Sequence, residues 1–185
     1  LLNYPESFIE FAAKELKLEK NIVDFHMKGY NLYDEFADYA GVSKQVLKDL
    51  KHRYRTEGHK QNMKPIIGAA QFVDRLRGLG FKVILLSARP VEEYPNLMFD
   101  TMESLNRANI SFDGIYFNEN KEVEILKKFP SISFFIEDHM GNAEKICEAG
   151  KKVFLINKTY NQQECKNANI IRVDYLHEIF SKLEE

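Results

Sequence analysis

Residues 133–143 read Ser-Phe-Phe-Ile-Glu-Asp-His-Met-Gly-Asn-Ala, and this stretch decides the fold. Its apolar run, Phe134 to Ile136, shows no alternation with polar positions. That is the pattern of a strand covered on both faces, as in parallel sheets packed between helices. The strand, Ser133 to Glu137, then emerges directly into two adjacent carboxylates, Glu137 and Asp138. Neighbouring acids at a strand end repel one another unless a cation lies beside them. Oxygen donors with open positions suit Mg²⁺, which keeps several waters and takes only one or two protein carboxylates. The plainer reading makes the pair the start of a loop that caps the next helix. His139, without an evident partner, reads as loop surface.

The same grammar continues in both directions. Downstream come a helix over Asn142–Ala149 closed by Gly150, a strand over Lys152–Ile156, a strand over Ile170–Val173 and a helix over Tyr175–Leu183. Upstream, Ala69–Leu79 is an amphipathic helix stopped by Gly78 and Gly80, and Lys82–Ser87 (KVILLS) is a buried strand. A helix over Tyr94–Asn109, a short strand at Ile115–Phe117 and a helix over Lys121–Phe129, ended by Pro130, complete the series. Apolar strands alternating with helices predict an α/β fold, a doubly wound parallel sheet over residues 65–185. Residues 1–64 differ. Phe8 to Leu16, Leu32 to Ala40, and Val46 to Tyr54 behind an N-capping Ser43 predict helices and no strand.

Ligands of open α/β sheets bind beyond the carboxyl ends of the strands. That rule selects Ser87, Arg89, 118–121 and 137–142. Ser87 with the N–H groups of Ala88 and Arg89 forms a candidate anion-binding nest, and the Arg89 side chain either contacts phosphate or pins its loop. Lys121 heads a helix, where a cation opposes the macrodipole unless an anion offsets it. Asn142 opens the helix after the acidic pair.

The chain has 185 residues, 26 Lys+Arg against 28 Asp+Glu, and a hydrophobic fraction of 44%. Such a chain buries a sizeable core, which excludes general disorder. The balanced charge argues against a general nucleic-acid or membrane-surface binder. No apolar run approaches the roughly 20 residues of a membrane span, and the first ten residues lack a secretory pattern. Cys147 reads as packing in a helix, and neither it nor Cys165 belongs to a disulfide framework, so a cytoplasmic setting is expected.

Taken in order, strand–Ser87, then Lys121, then strand–Glu137–Asp138 followed by Asn142 resembles motifs two, three and four of the haloacid-dehalogenase (HAD)-like phosphohydrolases. The IED…NA helix, VFLINKTYN and IIRVD look closest to the 5'-nucleotidase/deoxyribonucleotidase-like branch. The resemblance covers about Ile66 to Phe180. It implies a HAD-like (Rossmann-like) core with a small helical cap formed by residues 1–64. It also implies a Mg²⁺-dependent phosphomonoesterase acting on a nucleoside monophosphate. Ser87 and Lys121 would hold the phosphoryl group with the Ala88 and Arg89 loop, Asp138 and Glu137 would hold metal, and Asn142 would support them. The expected partner is a small phosphate ester, neither membrane nor polymeric nucleic acid, and a homodimer is left open. Phe11, Tyr30, Tyr33 and Phe36 offer faces to a base but read first as an aromatic helical core; Lys60 and Lys64 read as solvated.

One departure matters. The family's motif one, an Asp-x-Asp pair whose first carboxylate attacks phosphorus, occurs nowhere in these residues. In that family the pair ends a central strand, and a sheet without its centre leaves two rows of backbone groups unpaired, each at about 1–3 kcal/mol. The expectation is therefore a further strand and turn of about ten residues before Leu1. Taken literally, the sequence instead reads as a phosphate-binding or regulatory protein without turnover.

Overall fold

The computed structural model describes residues 1–18, 25–29, 31–117 and 126–183. The chain begins with α1 (Tyr4–Glu15), α2 (Leu32–Ala40) and α3 (Lys44–Thr56), followed by a 3₁₀ turn at His59–Asn62. Each start has a local cause. Pro5 occupies the first turn of α1, where its missing N–H is harmless. The side chain of Asn31 accepts from the Asp34 N–H at the head of α2, and Ser43 Oγ accepts from the Val46 N–H at the head of α3. Phe8, Phe36, Leu47 and Tyr54 bury a shared aromatic core, with Phe8 and Tyr54 edge to face at 5.5 Å between centroids. The connections into and out of this helical part run side by side: the Asn3 N–H donates to Lys64 O and the Ile66 N–H to Leu1 O, both at 2.9 Å.

The α/β part contains α4 (Ala69–Gly78), β1 (Ile84–Ser87), α5 (Asn96–Arg107), β2 (Gly114–Phe117) and β3 (Phe134–Glu137), then α6 (Met140–Glu148), β4 (Lys152–Ile156), β5 (Ile170–Val173) and α7 (Glu178–Leu183). All pairings are parallel. Gly80 and Gly150, at φ 87° and 79°, take the left-handed conformation that turns α4 and α6 toward the strands behind them. Along β4, Val153 and Leu155 pack on one side with α6, whereas Phe154 and Ile156 pack on the other with α4 and α7. That alternation places helices on both faces, as a doubly wound sheet requires.

The strands nevertheless form two sheets, β1–β2 and β3–β4–β5. Between β1 and β3 lies a cavity of about 840 Å³, lined by every residue of both strands, with α4 and Leu1–Leu2 among its walls. No described residue fills it.

Several boundaries shift by one to three residues from expectation, among them two helix starts. The helix expected from Asn142 begins at Met140 because His139 caps it, Nδ1 accepting the Asn142 N–H at 3.3 Å. His139 is thus a half-buried cap residue rather than loop surface. The helix expected from Tyr175 begins at Glu178, after a turn. Of the helix expected over 121–129, residues 121–125 lie outside the described residues and 126–128 are helical. No helix among the described residues is long and apolar enough to cross a membrane.

Candidate active site

The carboxyl ends of β1 and β3 open into one cavity, and Ser87, Arg89, Glu137 and Asp138 all line it. Ser87 Oγ accepts the Arg89 N–H at 3.3 Å, a tight turn that leaves the hydroxyl hydrogen available to donate. Ala88 is exposed at the lip. The Arg89 guanidinium turns toward α5: one nitrogen donates to Thr101 Oγ1 and another lies 3.1 Å from the Met63 sulfur. It pins the loop, and burial lowers its pKa from the ordinary value.

The two acids play different parts. Glu137 uses both carboxylate oxygens within its own loop, Oε2 accepting the Asp138 N–H and Oε1 the Asn142 side-chain amide, each at 2.9 Å. Asp138 accepts from the Tyr160 hydroxyl through Oδ2 at 2.6 Å, and its carbonyl accepts from the Asn161 amide at 2.7 Å. Its second carboxylate oxygen has no partner among the described residues. Glu137 and Asn142 thereby set the loop, and Asp138 presents an uncommitted oxygen. Lys121 lies outside the described residues.

Tyr160 and Asn161 were not singled out from the sequence. Asn161 is buried; its amide also donates to Ile156 O at 2.8 Å, while its Oδ1 accepts from the Lys158 N–H and from Arg172, each at 3.0 Å. The signal was available, because the strand-end rule applied to β4 points to 157–161. Of the aromatics considered for stacking, Phe36 is core, and Phe11 packs on Tyr54 and His59. Tyr33 is half-buried and Tyr30 lies outside the described residues. Lys64 is exposed and paired with Glu10 at 2.7 Å, but Lys60 is buried, contrary to expectation.

Among the described residues no three His, Cys, Asp or Glu side chains converge as a metal site. A self-sufficient protein cage is thus absent there. The donors present still suit Mg²⁺, which binds through one or two carboxylates together with substrate phosphate and water: Asp138 offers a free oxygen at a polar cavity mouth.

No family model matches the chain. Three solved structures resemble it along nearly its whole length. A "Putative Phosphatase from Clostridium difficile" is 11% identical at a TM-score of 0.61, covering 99% of this chain and 93% of that one. A "predicted phosphatase from Clostridium acetobutylicum" is 14% identical at 0.59, covering 97% and 89%. A "Had-superfamily hydrolase from Ehrlichia chaffeensis" is 14% identical at 0.51, covering 98% and 88%. Its fold is that of the HAD-superfamily hydrolases. In the structure Ser87 ends β1 and Asp138 follows β3, and both line the same cavity. A sequence relative, "Putative nucleotidase YqfW" of Bacillus subtilis (strain 168), is 40% identical over 95 residues. That match covers 50% of this chain and 46% of the relative, so it spans about half the length of each.

Proposed function

We propose that the protein is a Mg²⁺-dependent phosphomonoesterase acting on a nucleotide. The observation that carries this reading is the pairing of a hydroxyl donor, Ser87, with a carboxylate, Asp138, across one cavity mouth. The HAD fold and the nucleotidase name of the half-length relative support it.

The cavity between β1 and β3 is then the seat of an extended segment running alongside both strands, whose carboxyl end would lie between Ser87 and Asp138. An aspartate carried there would attack phosphorus as the ester P–O bond breaks and the leaving oxygen takes up a proton to depart as the alcohol; water then cleaves the aspartyl-phosphate to inorganic phosphate and the free carboxylate. Ser87 donates to a phosphoryl oxygen as negative charge shifts in the transition state. Lys121 belongs to the same reading as a further cation on the phosphate. Asp138, held by Tyr160 and Asn161, would be the metal ligand, with Glu137 and Asn142 fixing its loop. A bound Mg²⁺ would neutralise phosphate charge and orient the ester.

The test is phosphate release from nucleoside monophosphates by the intact protein, with Mg²⁺ and with EDTA. Release that depends on the metal supports the reading. Tight phosphate binding without turnover would favour a ligand-binding protein instead.

A further inference from the structure

Beside this site, where the helical part meets α5, lies a group of basic side chains with almost no carboxylate partner among the described residues. Lys60, in the 3₁₀ turn, is only 4% exposed. Its ammonium lies 4.6 Å from the Tyr4 ring centroid, and no carboxylate oxygen of the described residues comes within 4.0 Å of it. Lys51, from α3, sits 4.8 Å from the Tyr33 ring and 5.5 Å from Tyr4. One turn further along α3, Arg55 stacks 5.1 Å over Tyr94, and its Nε is buried without a hydrogen-bond partner. Arg89 completes the group and connects it to the cavity that Ser87 and Asp138 line.

The nearby acids do not balance these charges. Among the described residues Asp100 is the carboxylate that draws the Lys60 pKa upward. It is buried, and its two oxygens accept from the amides of Gln61 and Asn96, each at 3.1 Å. Glu10 is paired with Lys64 at 2.7 Å. Burial, followed by the neighbouring positive charges, pushes Lys60 down to about 6 and Lys51 to about 8. A basic group held out of water without a partner gives up its proton or destabilises the fold, and an anion that joins it restores the charge. Here the aromatic faces of Tyr4, Tyr33 and Tyr94 give partial compensation only.

We propose that Lys51, Arg55 and Lys60 form a subsite for a second anionic group, so that the substrate is a phosphate monoester whose leaving group itself carries a negative charge. This rests on the phosphomonoesterase reading above. The ester phosphate sits at Ser87 and Asp138, and the second anion joins Lys51, Arg55 and Lys60 beside the Tyr4, Tyr33 and Tyr94 rings, on the far side of Arg89 from the cavity. A nucleotide with a further phosphate or carboxylate on its sugar or base meets this description, and a singly phosphorylated neutral leaving group does not.

The experiment compares matched substrates on the intact protein with Mg²⁺: a nucleoside 3',5'-bisphosphate against its 5'-monophosphate, and phosphoglycerate against glycerol phosphate. In at least one pair, kcat/KM should favour the more charged ester by about tenfold or more, the effect of one charged hydrogen bond. Lys60→Met should collapse that preference, and Lys51→Met should reduce it. Equal kcat/KM within both pairs overturns the subsite, as does a preference that survives Lys60→Met. Loss of activity in equal measure on both members of a pair also overturns it, because Lys60 would then serve the transferred phosphoryl group or the fold. If none of these esters nor p-nitrophenyl phosphate is turned over, the phosphomonoesterase reading itself fails, a result distinct from the other three.

Discussion

Strands β1 and β4 are written almost alike, Ile-Leu-Leu-Ser against Lys-Val-Phe-Leu-Ile, yet they end in different environments. Val153, Phe154 and Leu155 of β4 are completely buried, whereas every residue of β1 stays half-exposed. The cause lies at their edges. β4 has a parallel neighbour on each side, and β1 has only β2. β3 repeats the β1 situation, paired with β4 on one edge and facing the cavity on the other. A strand that is apolar on both faces specifies the interior of a sheet. Its free edge here presents unpaired backbone groups beside apolar side chains, a ready template for another strand. The difference teaches that apolarity is set by the finished sheet, and that β1 and β3 carry the composition of strands with two neighbours.

The largest expected effect lies where the two half-sheets meet. Asp138→Asn keeps the shape of the side chain and removes its charge. Mg²⁺-dependent phosphate release should fall by about a thousandfold or more, since a metal contributes several kcal/mol of transition-state stabilisation. Folding should change little, as judged by circular dichroism and thermal unfolding. A variant with full activity would remove Asp138 from the metal site.

The comparison itself can be sharpened by a paired truncation. Leu155→Ala should destabilise the protein by about 2–5 kcal/mol, the usual range for a buried leucine. Leu85→Ala on β1 should lose as much in the intact protein if an additional strand covers its edge. A loss of less than about half that of Leu155→Ala, measured by urea unfolding, would mean that the cavity stays open and that β1 is a true edge strand.

A smaller effect is expected at Tyr160, which joins β4 to the acidic loop through its hydroxyl on Asp138. Tyr160→Phe leaves the ring in the aromatic core and removes the hydroxyl that donates to Asp138. Partners of metal ligands typically change metal affinity by about 10–100-fold. The Mg²⁺ concentration for half-maximal activity should therefore rise about tenfold with little change in Tm. An unchanged Mg²⁺ response would show that the Asp138 carboxylate needs no such support.

Much of this architecture is legible in local sequence, because the signals are local. β4 and β5 have the boundaries that their apolar runs predict, and Ser43 caps α3 as its position suggests. The acidic loop is visible as a strand end, but the division of labour within it is not. That division depends on Asn142 reaching back to Glu137 and on Tyr160 arriving from beyond β4. Lys60 was hidden for a similar reason. In the run Gly-His-Lys-Gln-Asn it has the neighbours of a surface residue. It is buried because α5 closes over it, with Ser104 donating to its carbonyl and Gln61 to Asp100, contacts 39 to 44 residues apart in the chain. Contacts at such separations leave no periodic trace.

Lys60 also supplies the finest test, because its burial must appear as a pH dependence of stability. The groups acting on it are Arg89, Arg55, Lys51 and Asp100, with the Tyr4 ring against its ammonium. Its folded pKa of about 6 lies below the ordinary lysine value, so between the two the unfolded chain holds a proton that the native protein lacks. Stability contributed by this residue therefore rises with pH across that window and is lowest below about pH 6. Lys60→Met removes the term. The variant should be more stable than the parent near pH 6, by about 1 kcal/mol or more, which is about 2–4 °C in Tm for a chain of this size. The gap should shrink steadily toward pH 9, where the native lysine is already neutral and the unfolded chain has begun to release its proton. A gap that stays constant with pH would mean that the Lys60 ammonium reaches water or a carboxylate in solution. The contrast between it and the solvated Lys64 would then disappear.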